Sequence, residues 1–103
     1  MSVTPANVVS PYDALAEVCA RNRIRWLAVF GSVARGNARP DSDVELLVEF
    51  DPGTAMTYLT LEGVAEDLSP LFGGRYVDIG SPKSLHWYIR DGILSEAKVL
   101  YAR

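Results

Sequence analysis

Residues 31–50 read GSVARGNARPDSDVELLVEF and carry the most informative pattern of the sequence. It opens with a Gly-Ser turn after an apolar run and closes with a strand-like run over 43–50. Side chains in a strand point alternately to its two faces, so Asp43 and Glu45 share one face. Two like charges held that close repel each other unless a cation or solvent separates them, which favours a divalent-metal site. The opposite face is wholly apolar and predicts contact with a core: Val44, Leu46, Val48 and Phe50.

The length of 103 residues indicates a single domain over 1–103, with residues 1–9 as a loose N-terminal lead-in. Hydrophobic residues make up 49% and charged residues 22%, as in ordinary globular domains. A net charge of −3 argues against general nucleic-acid binding. There is no apolar run of bilayer length and no secretory signal pattern, so we expect no membrane association and a cytoplasmic location.

Helical and strand-like patterns alternate on both sides of the central stretch. Before it, Ser10 is a candidate N-cap for a helix that places Cys19 on its apolar stripe. After it, Thr54 is a candidate cap for a helix whose stripe begins at Tyr58, and a stripe with Tyr88 and Ile89 marks the last helix. The predicted bounds are a helix over 11–23, a strand at 24–30, a helical turn at 33–35, and then a strand at 43–50, a helix over 54–68, a strand at 75–79 and a helix over 83–97.

This order predicts an α/β (α+β) fold with a small mixed sheet of three to four strands covered by helices. The strand count stays open because residues 99–101 fit either an edge strand or an extension of the last helix. Cys19, the only cysteine, fits a core residue better than a nucleophile, and the single His86 fits a structural role.

A third carboxylate, Asp78, repeats the pattern of Asp43 and Glu45, since it lies opposite an apolar face of its own strand. If the two strands are neighbours, all three carboxylates converge. Carboxylates together with substrate phosphates hold Mg²⁺, and two such ions can support an in-line displacement at phosphorus. Gly31 permits close backbone approach, and Ser32 offers a hydroxyl and an amide to a phosphate.

Arg35 and Arg39 supply cations next to this phosphate-binding turn. The combined pattern predicts a phosphoryl or nucleotidyl transfer site. Each component also has a simpler interpretation: the carboxylates as a solvated strand edge, the serine as a helix cap, and the arginines as solvated loop charges.

At this point the sequence resembles a known family. The Gly-Ser pair, the ten-residue spacer and Asp-x-Glu, followed downstream by Val-Asp-Ile, look like the minimal nucleotidyltransferases of the MNT type. These belong to the DNA polymerase β-like nucleotidyltransferase superfamily. The contexts VFGSVARG at 29–36, SDVELLV at 42–48 and YIRDGIL at 88–94 share the resemblance, which covers about residues 12–101.

The resemblance implies a nucleotidyltransferase fold with ATP as cosubstrate and Mg²⁺ as cofactor. It implies a HEPN-domain toxin as partner, with this chain as its antitoxin moving AMP to a toxin tyrosine. Gly31 and Ser32 match the phosphate-gripping pair, Asp43 the first metal ligand, and Asp78 the carboxylate that helps to deprotonate the attacking hydroxyl. Glu45 stands where the family usually has aspartate, which keeps the charge and adds one methylene.

Two further functions stand beside this one. A nucleotidyltransferase-fold antitoxin that inhibits its partner by binding alone is favoured by the glutamate at position 45. An aminoglycoside-type enzyme is disfavoured by length, because such proteins need added domains to shape a substrate pocket.

Overall fold

The secondary-structure elements follow the order that the sequence predicts. The computed structural model describes residues 11–55 and 57–103, apart from the side chains of Ser84 and Trp87. The predicted lead-in and the Ser10 cap lie outside these residues. The elements are α1 (Pro11–Arg21), β1 (Ile24–Phe30), α2 (Gly31–Arg35), β2 (Val44–Phe50), α3 (Tyr58–Leu68), β3 (Val77–Gly80), α4 (Trp87–Glu96) and β4 (Lys98–Ala102), with 3₁₀ turns at Ser69–Phe72 and Pro82–Ser84.

The strands form one four-stranded mixed sheet in the order β3-β2-β1-β4. β1 pairs antiparallel with both β2 and β4, whereas β2 and β3 run parallel. A parallel pair needs a long crossover, and α3 supplies it. The predicted mixed α/β sheet is therefore confirmed, and residues 98–102 form its fourth strand.

The apolar face of β2 carries the main core, as its alternation predicts. Val44 and Leu46 are fully buried and belong to one cluster with Cys19 of α1 and with Val64 and Leu68 of α3. These two helices therefore cover one face of the sheet. Full burial of each large aliphatic side chain contributes about 1.5–3 kcal/mol.

The opposite face has a much smaller buried centre. Ala28 and Leu47 are direct partners across β1 and β2, and both are fully buried. α4 lies against β1 and α2. No described side chain of α4 is classed as buried, and Tyr88 and Ile89 are exposed, so the predicted stripe of this helix is wrong in part. None of the described helices is long and apolar enough to span a membrane.

The predicted start of α3 is also wrong. Thr57, not Thr54, is its N-cap: the Thr57 hydroxyl accepts a hydrogen bond from the Thr60 N–H at 3.1 Å. The later start places Tyr58 in the first turn with 90% of its surface exposed, so the buried stripe contains Val64 instead. Both threonines are competent caps, and only the path of the turn after β2 decides between them.

Several other boundaries differ from the predicted ones by short stretches. β2 begins at Val44, so Asp43 lies just before the strand. β3 covers Val77–Gly80, two residues later than predicted at its start and one later at its end. The last predicted helix divides into the Pro82–Ser84 turn and α4.

Cys19 is a core residue, as predicted. Its side chain is fully buried, and burial raises the pKa of the thiol to about 11, with Arg103 acting in the opposite direction. The thiol is therefore neutral at physiological pH, which is the wrong state for a nucleophile.

The α3 cap gives a test of the fold. Thr57→Ala should lower the free energy of unfolding by about 1 kcal/mol, because it leaves the Thr60 N–H without its acceptor. Thr54→Val is the control. The buried Thr54 hydroxyl has no hydrogen-bond partner among the described residues, so this change should be neutral or stabilising. Urea unfolding of both variants provides the measurement. A larger loss of unfolding free energy for Thr54→Val than for Thr57→Ala would show that Thr54 is the N-cap.

Candidate active site

The Gly31-Ser32 turn joins β1 directly to α2. Gly31 is buried and adopts a left-handed φ of +72°. A β-carbon at this position would collide with carboxylate oxygen Oε2 of Glu45 and lie 2.9 Å from its Cδ. The left-handed backbone therefore favours glycine here, and a β-carbon would in addition force the flexible end of the Glu45 side chain to move.

Ser32 occupies the first turn of α2 and is half-buried. Its carbonyl accepts the Asn37 N–H at 3.1 Å, and Gly36 ends the helix with a φ of 79°. No hydrogen bond of the Ser32 hydroxyl occurs within residues 11–55 and 57–103, and this group is free to contact a ligand.

The strand positions of the carboxylates are adjacent at the end of the sheet where β1 leads into this turn. Glu45 pairs with Phe30 on β1 and with Asp78 on β3, so the three side chains form one row across the sheet. Asp43 precedes this row, and the neighbouring Val44 N–H donates to the Tyr76 carbonyl at 2.9 Å. The predicted adjacency of the strands that carry Asp43, Glu45 and Asp78 is thus present.

The oxygen-only donor set suits a hard cation such as Mg²⁺, since it contains neither histidine nor cysteine. Within the described part of the chain, no group of three histidine, cysteine, aspartate or glutamate residues is close enough to hold a metal ion as it stands. The Glu45 carboxylate lies against Gly31. The donors fit the ion chemically, and their side chains have to converge to bind it.

The two arginines differ in their surroundings. Arg35 forms an ion pair with Glu96 at 3.2 Å, which joins α2 to the C-terminal end of α4. Arg39 is exposed in the loop before β2, where its backbone N–H donates to the Ser42 hydroxyl. Its guanidinium makes no ion pair with any residue that the structure describes, which leaves it the freer cation of the two.

Sequence reasoning missed two residues next to this site. Glu96 gave no signal, because it lies 61 positions from Arg35 and only the packing of α4 brings them together. The sequence indicated Tyr76 only weakly, because it lies on the same face as Asp78 in the predicted strand at 75–79. The pairing register places its backbone beside Asp43 and leaves 70% of its surface exposed.

The nucleotidyltransferase domain family matches residues 13–100, which is most of the chain. This chain belongs to the nucleotidyltransferase domain family. Protein adenylyltransferase MntA of Thermococcus cleftensis is 38% identical to it over 81 residues, covering 78% of each protein. A solved minimal nucleotidyltransferase is similar, with 42% identity, a TM-score of 0.67, and coverage of 84% of this chain and 86% of that one.

A more distant likeness extends to a toxin–antitoxin complex, in which the tri-AMPylated Shewanella oneidensis HEPN toxin is bound to an MNT antitoxin. A chain of that complex matches with a TM-score of 0.61 at 14% identity, covering 90% of this chain and 71% of that chain. At this identity the likeness shows a shared fold alone. The predicted nucleotidyltransferase fold and the resemblance to minimal nucleotidyltransferases are confirmed.

The contact between Gly31 and Glu45 can be tested through stability. Gly31→Ala and Gly36→Ala should each lose about 1–2 kcal/mol for the left-handed backbone. Gly31→Ala should lose a further 0.5–1.5 kcal/mol or so, because the flexible Glu45 side chain has to leave its rotamer. A β-carbon added at position 36 would meet nothing within 4 Å beyond its own chain neighbours, so Gly36→Ala isolates the backbone cost.

When Gly31→Ala and Gly36→Ala are made separately in a Glu45→Ala background, the extra loss of unfolding free energy for Gly31→Ala should disappear. Urea unfolding provides the measurement. Equal losses for the two glycine variants with Glu45 present would show that the carboxylate does not lie against position 31.

Proposed function

We propose that this chain transfers AMP from ATP to a tyrosine hydroxyl of a HEPN-domain toxin, and that it acts as the antitoxin of that protein. The observation that carries the proposal is the row in which Glu45 faces Asp78 across β2 and β3, beside the Gly31-Ser32 turn. The similarity to a protein adenylyltransferase supports the reaction class. The fold shared with a chain of the HEPN–MNT complex is consistent with the partner.

Different residues of the chain have separate roles in this reaction. Gly31 and Ser32 bind the phosphates, and the Arg39 guanidinium supplies a positive charge to them. Asp43, Glu45 and Asp78 would hold two Mg²⁺ ions, which when bound supply positive charge to the phosphates and to the reacting oxygens. Arg35, which is paired with Glu96, keeps α2 in place and contributes to phosphate binding only if that ion pair opens.

The bond changes follow from an in-line displacement. The tyrosine oxygen attacks the α-phosphorus and forms a new P–O bond, while the bond to the β-phosphate oxygen breaks and pyrophosphate leaves. Asp78, which pairs with Glu45 in the register of β2 and β3, accepts the tyrosine proton, which is the role that its match to the family's third carboxylate implies.

A second function has one observation in its favour. The Glu45 carboxylate lies against Gly31, and the described carboxylates are not gathered into a metal-holding group. An antitoxin that blocks its partner by contact alone would need no such group. The two functions therefore differ in how they respond to substitutions at positions 43 and 45.

Asp43→Ala should abolish AMP transfer from labelled ATP to the neighbouring HEPN-domain protein, with loss of at least 100-fold in rate, on the scale of an essential electrostatic group. The fold should remain intact because Asp43 is exposed just before β2. Asp41→Ala is the matched control, since it removes an exposed carboxylate two positions away and should leave transfer unchanged. Toxin neutralisation that persists in Asp43→Ala without transfer would support the binding-only antitoxin instead.

Position 45 separates the functions further. With a working metal site, Glu45→Asp should keep or raise transfer, whereas Glu45→Ala should weaken magnesium-dependent ATP binding by about 1–3 kcal/mol through loss of a charged partner. Calorimetric titration of ATP with and without Mg²⁺ measures this for all three proteins. If their magnesium dependence is the same, Glu45 is not a ligand and the site is reduced to Asp43 and Asp78.

A further inference from the structure

The outer edge of the sheet beside the candidate site is open. β3 is the last strand of the sheet and, within the described residues, pairs with β2 alone. The Val44 N–H donates to the Tyr76 carbonyl, and alternate residues of a strand point to the same neighbour. The backbone N–H and C=O groups of Val77 and Ile79 are therefore directed away from β2, where another strand can pair with them.

A cavity of about 500 Å³ lies beside this edge, between α3 and the segment that leads into β3. Its volume falls in the range of ligand-binding clefts. α3 contributes Glu62 and Glu66 to the wall, and the leading segment contributes Arg75 and Tyr76. Tyr76 is 70% exposed, so it offers an aromatic surface at the mouth of the cavity.

The acidic side chains of this wall have no ion pair among the described residues, although Arg75 lines the same cavity. Glu62 and Glu66 lie one helical turn apart on α3 and are exposed, and neither has an ion pair within the described part of the chain. Other surface carboxylates do have one, such as Glu49 with Arg25 and Glu96 with Arg35. Like charges at this spacing destabilise a helix slightly, and a basic group placed between them removes that repulsion.

The cavity and the candidate site share one strand. Tyr76, on the cavity wall, is hydrogen-bonded through its carbonyl to the residue after Asp43, and Asp78 lies two positions farther along β3. A chain laid along the open edge of β3 therefore borders both the cavity, on the α3 face of the sheet, and the carboxylate row, on the opposite face. The combination of an unpaired strand edge, two carboxylates without ion pairs on the α3 side of the cavity, and this continuity specifies an occupant.

We propose that the acceptor protein docks through an extended basic segment, which adds a strand to the open edge of β3 and places a lysine or arginine between Glu62 and Glu66. This inference rests on the proposed function, because it names the surface by which the acceptor tyrosine is brought to the site. Backbone hydrogen bonds to Val77 and Ile79 supply affinity, and the acidic pair supplies selectivity.

The test uses the full chain and the neighbouring HEPN-domain protein. Glu62→Lys/Glu66→Lys should raise the Kd for that protein at least tenfold and leave the calorimetric affinity for ATP with Mg²⁺ unchanged within twofold. Glu62→Gln/Glu66→Gln should give a smaller loss of the same kind. The charge-matched control is Glu17→Lys/Asp91→Lys, which reverses two exposed acids on α1 and α4 and should bind the partner like the wild type.

Amide hydrogen exchange measures strand addition directly. On saturation with the partner, the Val77 and Ile79 amides of the wild-type chain should exchange at least tenfold more slowly. Unchanged exchange at both amides, or a Kd that rises only in the α1/α4 control, overturns the docking surface even when AMP transfer proceeds. A HEPN-domain protein that neither binds nor accepts AMP from the wild type overturns the proposed function together with this inference.

Discussion

The alternation of side chains along β2 determines both the packing of the core and the position of the candidate site. One face of this strand is buried against α1 and α3 through Val44 and Leu46, and the other face presents Glu45. A slip of one residue in its pairing would move the apolar set to the open face and the carboxylates into the core. The same burial that fixes the register therefore fixes which carboxylates meet at the sheet end.

The contact of Gly31 with Glu45 shows how closely the two halves of the sequence motif depend on each other. The Gly-Ser turn belongs to the end of β1 and the carboxylates belong to β2, and the antiparallel register brings Phe30 opposite Glu45. A residue with a β-carbon at position 31 would force the end of the glutamate side chain to move from its place against the turn. Glutamate at position 45 reaches back to the turn, so glycine at 31 and glutamate at 45 have to be considered as a pair.

Much of this arrangement could be predicted from the sequence because it depends on local periodicity. The alternation of β2, the burial of Cys19 and the strand at Ile24–Phe30 follow from patterns within one element.

The start of α3 could not be predicted, because Thr54 and Thr57 are equally good caps and the turn geometry decides. The ion pair of Arg35 with Glu96 could not be predicted either, since it depends on where α4 lies on the sheet. For the candidate site, the alternation of side chains predicted that Asp43, Glu45 and Asp78 belong together if their strands are neighbours, and the parallel pairing of β2 with β3 meets that condition. The directions of their side chains depend on contacts such as that of Glu45 with Gly31, which no linear pattern encodes.

The row of carboxylates also opposes the stability of the sheet that carries it. If two of these charges approached to 4 Å, they would repel by about 1 kcal/mol in bulk water and by about 4 kcal/mol near a protein surface. Val44, Leu46 and Val77 on the reverse of the same strands are buried, and each contributes about 1.5–3 kcal/mol. Burial on one face thus exceeds repulsion on the other, so β2 and β3 can remain paired before any cation binds. A cation that binds there relieves the repulsion, and its binding energy is therefore coupled to the stability of this edge of the sheet.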